Sequence, residues 1–237
     1  MAVPGLYTCL SPALFAELSS VNKRVVVIDV LRATSTICSA LYHGMNSVIT
    51  VADTGEAASY IGVGHIVAAE RQGKIAEGFQ YGNSPLTYQD KKFKDKTLIL
   101  TTTNGTKALE ASKAADELLC GAFVNLDALS EYMYLNPMDS ILLCAGWRNQ
   151  ISFEDSLFAG AIIKKLSHHY IAKDDASLLA VSLYEKYSHN LFDALKGSNH
   201  FKRLSSLGNL EDIRYCSSLN VAPLIPRWTG KQFVTAK

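Results

Sequence analysis

The segment over residues 25–36 constrains the fold of this chain more than any other, because an uninterrupted apolar run ends in an acid. Its sequence is VVVIDVLRATST, in which β-branched residues lead into Asp29 and then Arg32. Such a run is typical of a strand that is buried on both faces of a sheet. A carboxylate at its end lies where open α/β sheets bind ligands. The hydroxyls and amides of the next turn favour anions, so the segment predicts a site for a divalent metal and a phosphorylated substrate.

Composition excludes several classes of protein. The chain has 237 residues, of which 48% are hydrophobic and 19% are charged, and its formal net charge is +1. This balance gives no field that would steer the protein toward nucleic acid or an anionic membrane. The basic run 91–96 is interpreted as a solvated loop, with a nucleic-acid patch as the less favoured alternative. No apolar stretch approaches the roughly 20 residues that cross a bilayer, and the N-terminus does not resemble a signal peptide.

The cysteines indicate a reducing compartment. Five are present, the number is odd, no CxxC pair occurs, and three of them lie in apolar runs. Reduced, buried thiols are therefore expected, rather than a disulfide framework or a zinc site. We expect a cytoplasmic protein with neither a nucleic-acid nor a membrane partner.

Short apolar runs alternate with helical patterns along the first two thirds of the chain. The predicted strands are 25–29, 47–51, 65–70, 97–102, 118–122 and 141–146, and the predicted helices are 35–42, 54–61, 106–115, 126–134 and 154–166. This rhythm predicts a largely parallel sheet with helices on both faces. The part from about residue 173 reads as a helical portion, with helices over 174–197 and 198–207. An extended tail from 210 would then add a final strand or two. No linker is apparent, so the whole chain, 1–237, is predicted to be one compact unit.

Polar side chains recur where the predicted strands end. Asp29, Glu70 and the pair Glu154 and Asp155 follow three different apolar runs. Parallel strands would bring these acids to one edge of the sheet, where Mg²⁺ needs only a few carboxylates because it keeps several waters. Each acid alone has an equally ordinary interpretation as a helix cap, a turn residue or a complement to a helix dipole.

Two further segments carry groups that suit an anionic ligand. In residues 101–107, TTTNGTK, the pair Asn104 and Gly105 permits a tight turn with exposed amides, and Thr106 can cap the next helix. An ordinary strand-to-helix turn is the alternative, and the spacing is not that of a P-loop. The loop 78–85 carries Asn83 and Ser84, which either bind a ligand or only connect two elements.

Several catalytic mechanisms are disfavoured by spacing. Cys144 and Arg148 are four positions apart, whereas a cysteine phosphatase needs six, and Leu31 replaces the second aspartate of haloacid-dehalogenase phosphatases. No GxSxG elbow is present. His200 could protonate a leaving group, although an exposed surface histidine is the favoured interpretation.

Taken together, these segments resemble the 2-phosphosulfolactate phosphatase family over about residues 25–226. The resemblance is carried by IDVLRATST at 28–36, ER at 70–71, GF at 78–79 with GNSP at 82–85, TTNGT at 102–106, and CAG at 144–146 with ED at 154–155. It implies a three-layer α/β/α fold with a largely parallel or mixed central sheet. It also implies a magnesium-dependent acid phosphatase that converts 2-phospho-3-sulfolactate to 3-sulfolactate and phosphate, a step in coenzyme M biosynthesis.

On the basis of that resemblance, we assign the candidate residues the following hypothetical roles. Catalysis is assigned to Asp29 and Arg32, and Mg²⁺ to Asp29, Glu70, Glu154 and Asp155. Substrate binding is assigned to Thr34, Ser35, Thr36, Asn83, Ser84, Thr103, Asn104, Gly105 and Thr106.

The hypothesis leaves several alternatives open. The attacking group is either a metal-bound water or Asp29 itself. A related 2-hydroxy-acid phosphate could be the substrate. A non-catalytic binding protein for a phosphorylated or sulfonated acid, an isomerase or lyase at the same site, and a homodimer are not excluded.

Overall fold

The apolar run that ends before Asp29 forms an inner strand of an eleven-stranded sheet in the computed structural model, which describes residues 3–236. The strands are β1 (Gly5–Cys9), β2 (Arg24–Ile28), β3 (Ser47–Thr50), β4 (Ile66–Arg71), β5 (Lys74–Ile75), β6 (Thr97–Thr101), β7 (Glu117–Gly121), β8 (Ser140–Cys144), β9 (Ile171–Ala172), β10 (Pro226–Trp228) and β11 (Phe233–Thr235). The α-helices are α1 (Pro12–Phe15), α2 (Ala33–Tyr42), α3 (Thr54–Ala58), α4 (Gly105–Ala111), α5 (Leu126–Leu135), α6 (Phe153–Lys165), α7 (Asp175–Tyr187), α8 (Leu191–Leu195), α9 (Asn199–Ser206) and α10 (Leu210–Cys216).

The sheet consists of two parallel blocks joined by an antiparallel hairpin. Its order is β5-β4-β6-β3-β11-β10-β7-β2-β8-β1-β9. Within the blocks β4-β6-β3 and β7-β2-β8-β1-β9 all neighbouring strands are parallel, whereas the hairpin β10–β11 runs antiparallel to both flanking strands. The predicted α/β fold with a mixed central sheet is therefore confirmed.

Strand β2 shows why helices cover both faces. All five of its residues are buried, and the four apolar ones alternate between two clusters. Val26 and Ile28 pack with residues of α5, α6 and β8 on one face, whereas Val25 and Val27 pack with residues of α2, α4 and β6 on the other. Burying each of these side chains stabilises the fold by roughly 1.5–3 kcal/mol.

Helix α2 is almost completely enclosed. Every residue from 33 to 41 is buried, and the helix packs against β3, β7, β10 and β11. A helix that is buried all round has no solvated face, so its hydroxyl groups must find partners inside the protein.

The six predicted strands and five predicted helices of the first two thirds are confirmed, although α3 and α4 end several residues before the predicted boundaries. The pattern did not reveal the short strand β1, in which Tyr7 and Thr8 interrupt the apolar residues. The run 91–96 contains a 3₁₀ turn, Lys91–Phe93, in which Phe93 is buried and the lysines are exposed.

Two predictions about the C-terminal third are wrong. Residues 174–197 form two helices rather than one, because the chain leaves α7 and Asn190 then caps α8 by accepting the amide of Asp193 at 3.1 Å. The tail from 210 begins with helix α10 rather than an extended segment, and only then forms the strands β10 and β11. The predicted helix over 198–207 is confirmed as α9.

All five cysteines are buried and free, as predicted. Between residues 3 and 236, no helix is long and apolar enough to cross a bilayer.

Candidate active site

The carboxyl ends of strands from both parallel blocks meet at one cavity of about 440 Å³. Six of the predicted site residues line it, namely Asp29, Arg32, Glu70, Asn83, Thr103 and Asn104. Other parts of the wall come from Trp147 and Arg148, which follow β8, from the turn between β4 and β5, and from His200 and Arg203 on α9. Residues that are far apart in the sequence therefore converge as the parallel topology predicts.

Asp29 lies at the inner end of this cavity and is 7% exposed. Burial raises its pKa from 3.8 to about 6, with the charges of Glu154 and Glu70 adding to the rise and His200 opposing it. Helix α4 begins directly against this carboxylate. A Cβ atom on Gly105 would lie 2.6 Å from Asp29 Oδ2 and 2.5 Å from the Cβ atom of Ala33, so only glycine fits there. Gly105 thus permits a close approach, rather than contributing a binding group.

The three hydroxyl residues that begin α2 do not reach the cavity. Thr34 Oγ1 donates to the carbonyl of Gly121 at 2.8 Å and accepts the amide of Asp29 at 3.0 Å. Ser35 and Thr36 donate to the carbonyls of Val30 and Asn83 at 2.8 and 3.4 Å, respectively. Because the helix is enclosed, these hydroxyls hold the backbone around Asp29, and the prediction that they bind substrate does not fit these contacts.

Arg32 is held by a buried network. Its guanidinium forms an ion pair with Asp212 of α10, and Nη2 donates to the carbonyl of Gly73 at 3.2 Å. Ser84 donates to the other oxygen of Asp212 at 2.7 Å. Ser84 therefore supports the counter-ion of Arg32 instead of lining the cavity, which corrects its predicted role.

The segment after β6 divides into structural and cavity-facing residues. Thr106 Oγ1 donates to the carbonyl of Thr102 at 2.8 Å, so Thr106 closes the turn and does not line the cavity. Thr103 donates to Glu70 Oε1 at 3.5 Å. The side-chain oxygen of Asn104 accepts the amide of Arg148 at 3.4 Å. Thr103 and Asn104 thus connect the end of β6 to the ends of β4 and β8.

Glu70 and Asn83 face the cavity with spare hydrogen-bonding capacity. Glu70 Oε1 accepts the amide of Gly73, which folds the tight turn between β4 and β5. The side-chain oxygen of Asn83 is buried and has no hydrogen-bond partner among residues 3–236. An unsatisfied buried acceptor costs free energy, so a donor from a ligand would stabilise this arrangement.

Glu154 and His200 form a buried pair beside the cavity. Glu154 Oε1 lies 2.6 Å from His200 Nδ1, and its Oε2 has no partner within the described chain. Burial acts to raise the pKa of Glu154, but the hydrogen bond and charge of His200 outweigh it, and the pKa lies below its usual value. His200 is only 9% exposed, so the interpretation as a surface histidine is wrong. Glu154 does not itself line the cavity.

Asp155 joins two strand ends. Its two oxygens accept the amides of Val30 at 2.9 Å and Gly146 at 3.2 Å, which follow β2 and β8. Burial, with the nearby charges of Glu154 and Asp29, raises its pKa, against the two amide hydrogen bonds. Both oxygens are occupied and Asp155 does not line the cavity, so these contacts do not fit the predicted role as a metal ligand.

The remaining acids fit a magnesium site that is rich in water. Asp29 and Glu70, the two acids that line the cavity, offer only oxygen donors, which Mg²⁺ prefers. Among residues 3–236, no three side chains of His, Cys, Asp or Glu are close enough to form a complete protein cage. Mg²⁺ does not require one, because one or two carboxylates with waters and substrate phosphate oxygens usually suffice.

Positive charge dominates the cavity wall. Five cationic side chains line it against the two carboxylates of Asp29 and Glu70: Arg32, Arg71, Lys74, Arg148 and Arg203. Such a cavity attracts a ligand that carries several negative charges.

Apart from His200, which the sequence suggested as a proton donor, the C-terminal contributors were missed because they lie on a helix rather than at a strand end. His200, Arg203, Leu204 and Leu207 recur at the three- and four-residue spacing of one helical face, and all of them line the cavity. This spacing is the signal that could have identified them. No such pattern pointed to Asp212, because it lies in a segment that was predicted to be extended.

Comparison with known proteins identifies the family. A family model described as 2-phosphosulpholactate phosphatase matches residues 9–231. A protein of Caldanaerobacter subterraneus subsp. tengcongensis is 40% identical over 211 residues, which cover 87% of this chain and 88% of the relative. A Thermotoga maritima protein is 38% identical over 212 residues, covering 90% and 92%, and one from Gloeobacter violaceus is 35% identical over 210 residues, covering 86% and 88%. Each of these relatives bears the name probable 2-phosphosulfolactate phosphatase.

The match extends across all the strand ends that build the cavity and across the helices α9 and α10 that close it. The chain belongs to the 2-phosphosulfolactate phosphatase family.

Proposed function

We propose that this protein is a magnesium-dependent phosphoric monoester hydrolase that converts 2-phosphosulfolactate to 3-sulfolactate and phosphate. The observation that carries the proposal is the single cationic cavity in which Asp29, Arg32, Glu70 and Asn104 meet. Family membership and the names of the relatives support the choice of substrate. A substrate with a phosphate, a sulfonate and a carboxylate suits the excess of positive charge.

Two carboxylates, those of Asp29 and Glu70, face the cavity and would hold the metal, with waters and substrate phosphate oxygens as its other ligands. Glu154 does not line the cavity, and its hydrogen bond holds the ring of His200, which does. When bound, Mg²⁺ would polarise the phosphoryl oxygens and offset the negative charge that develops on them.

Asp29 has two chemically distinct roles open to it. Its carboxylate either attacks phosphorus or accepts the proton of an attacking water, and both roles need the ionised form. With a pKa raised to about 6, Asp29 is ionised at neutral pH yet remains a stronger base than an ordinary carboxylate. Trapping of a phosphoenzyme after rapid quench distinguishes attack by Asp29 from attack by water.

The other residues would position the substrate. Arg32 is fixed by Asp212 and by the carbonyl of Gly73, so it presents a rigid cationic wall beside Asp29. Asn83, Thr103 and Asn104 also line the cavity, where their amide and hydroxyl groups can orient the carboxylate or sulfonate end.

The proposal includes the cellular setting. Five buried free thiols and a balanced net charge favour a cytoplasmic enzyme whose partner is a small-molecule phosphate ester, rather than nucleic acid or a membrane. Light scattering after size exclusion measures whether the enzyme forms the homodimer that the family resemblance leaves open.

A phosphate-release assay tests the function directly. The purified protein is given 2-phosphosulfolactate, 2-phospholactate and an aryl phosphate, each with Mg²⁺ and with EDTA. We expect turnover of 2-phosphosulfolactate in Mg²⁺, weaker turnover of 2-phospholactate, and loss of both in EDTA. Binding of 2-phosphosulfolactate by calorimetry without phosphate release would instead indicate a binding protein, and NMR would reveal an isomerase or lyase product.

A further inference from the structure

Two arginines enter the cavity from different walls, and they differ in how their charge is balanced. Arg32 has a buried counter-ion, Asp212. Arg203, on α9, has no carboxylate oxygen within 4.0 Å among residues 3–236. Its Nε atom is buried and has no hydrogen-bond partner there. In the cavity, the guanidinium of Arg32 is therefore neutralised by Asp212, whereas that of Arg203 finds no partner among the described residues.

The unpaired state of Arg203 carries a free-energy cost. Burial lowers its pKa, although the carboxylates of Glu70 and Asp29 act in the opposite direction. The side chain is partly buried, and its enclosed Nε–H is a donor without an acceptor, which is destabilising unless a ligand supplies one. The position of Arg203 is thus explained by an anion that binds in the cavity.

The surroundings of Arg203 hold it ready for such an anion. Its guanidinium lies over the ring of Trp147, 5.7 Å from the centroid. On another side it meets the turn between β4 and β5, where a Cβ atom on Gly73 would lie 2.7 Å from Nη1. Gly73 has a φ of +85°, a backbone conformation that favours glycine. Because these contacts restrict the guanidinium on two sides, little ordering is needed on binding.

The other cavity arginines are engaged differently. Arg71 donates to the carbonyl of Glu70 at 2.7 Å and to Thr101 Oγ1 at 3.3 Å. Arg148 is exposed and lies over the ring of Trp147 at 4.7 Å. Neither combines burial with an unpartnered donor, so Arg203 is the strongest candidate for a direct contact with substrate.

We propose that the guanidinium of Arg203 binds the phosphoryl oxygens of the substrate. Arg32 is then a positioning residue, which holds Asp212 in place and, next to Arg203, the turn at Gly73. This assignment rests on the proposed phosphatase function. It replaces the hypothesis that Arg32 is catalytic. A guanidinium suits the task because its planar fork can donate two parallel hydrogen bonds to phosphate oxygens.

The choice of the phosphoryl end follows from the neighbours of Arg203. Its Nη1 atom lies beside Gly73, whose amide donates to Glu70 Oε1, and Glu70 is one of the two carboxylates proposed to hold the metal. The charges of Glu70 and Asp29 both act to raise the pKa of Arg203. Arg203 thus lies beside the carboxylates proposed to hold the metal, where the reacting phosphorus would be bound.

Binding of inorganic phosphate tests the assignment without requiring turnover. Calorimetry is performed with the wild type, Arg203→Gln, Arg203→Lys and the control Lys202→Gln, an exposed neighbour on the same helix. We expect Arg203→Gln to weaken phosphate binding at least about tenfold, Arg203→Lys to weaken it less, and the control to stay within about twofold. Circular dichroism and melting verify the fold. If Arg203→Gln fails to fold, the phosphate affinity of Arg203→Lys decides whether Arg203 binds the anion.

Product inhibition then identifies which end of the substrate Arg203 contacts. In Arg203→Gln, the inhibition constant for phosphate should rise while that for 3-sulfolactate stays unchanged, and kcat/KM should fall by roughly 10²–10³-fold. Weaker inhibition by 3-sulfolactate alone would overturn the assignment to the phosphoryl group. Wild-type phosphate affinity in both Arg203 variants would overturn the anion site itself.

Failure of the proposed function would look different. A wild-type protein that binds phosphate through Arg203 but hydrolyses no ester would refute the phosphatase activity while the anion site stands. Hydrolysis by the wild type with unaltered phosphate binding in Arg203→Gln would refute the assignment of Arg203 while the activity stands.

Discussion

The cavity has two walls that are built by different means. The strand-end wall contains Asp29, Glu70, Thr103 and Asn104, which lie at or just after the ends of β2, β4 and β6. The helical wall is the face of α9 that carries His200 and Arg203, and the neighbouring α10 contributes Asp212, which pairs with Arg32 but does not line the cavity. Backbone hydrogen bonds of the sheet fix the first wall, whereas side-chain ion pairs and hydrogen bonds attach the second to it. The first presents both carboxylates and most of the cations, whereas the second supplies Arg203 and the counter-ion Asp212, so the site is complete only when they meet.

The largest expected loss of stability comes from breaking the ion pair that joins the walls. Asp212→Ala leaves the buried Arg32 without a counter-ion, which should lower the free energy of unfolding by about 3–5 kcal/mol. Urea denaturation measures the loss. The control is Glu211→Ala, because Glu211 forms only an exposed pair with Arg214, and its change should stay within about 0.5 kcal/mol. Equal effects of the two variants would show that the walls do not depend on this pair.

In the strand-end wall, removing a charge should raise the stability rather than lower it, because burial destabilises the ionised form of Asp29. The pKa of Asp29 is about 6 in the folded protein and 3.8 for an ordinary aspartate, so the folded state loses stability as pH rises through this window. Without metal, Asp29→Asn should therefore stabilise the protein by roughly 2–3 kcal/mol above pH 7. The gain should shrink as pH falls through 6 toward 4.

Denaturation in EDTA at several pH values measures this gain. The control is Asp95→Asn, which changes an exposed carboxylate far from the cavity lining. A gain in stability that is independent of pH would contradict the assignment of the raised pKa to Asp29.

The next largest loss of stability should come from crowding Asp29. Gly105→Ala places a methyl group against Asp29 Oδ2 and Ala33, which should destabilise the protein by about 1–3 kcal/mol and lower kcat by displacing the carboxylate. Melting and steady-state kinetics follow the two effects. Gly197→Ala is the matched control, since no atom lies within 4 Å of the added Cβ. Wild-type activity in Gly105→Ala would mean that Asp29 tolerates movement.

The smallest effect should come from the hydroxyl that supports the helical wall. Ser84→Ala removes one hydrogen bond to Asp212 but leaves its ion pair with Arg32, so a loss of about 1 kcal/mol is expected. A double-mutant cycle with Asp212→Ala measures the coupling, which should account for most of the effect of Ser84→Ala. Additive effects would show that Ser84 acts independently of Asp212.

The same comparison explains how much could be predicted from the sequence. Asp29, Glu70 and Asn104 were predictable because apolar runs mark strands, and parallel strands bring their ends to one edge. The pair of Arg32 and Asp212 is separated by 180 residues and has no local pattern, and α10 itself was predicted to be extended. No periodicity reports such a contact, which only the assembled fold creates.

The hydroxyls of α2 illustrate a different limit. Thr34, Ser35 and Thr36 follow an acid at a strand end, which is the pattern of an anion site. The sequence does not show that the hairpin β10–β11 closes over this helix from the far end of the chain. Because the helix is enclosed, these hydroxyls donate to backbone carbonyls. The cations that line the cavity are therefore left to bind the anion.

The central claim is that the carboxylate of Asp29 performs the chemistry at the junction of the two walls. The most direct test is kcat/KM of Asp29→Asn for 2-phosphosulfolactate in saturating Mg²⁺, with melting and circular dichroism to verify the fold. The account predicts a loss of at least roughly 10³-fold in a fully folded protein. A folded variant that retains activity within about tenfold of the wild type would contradict it.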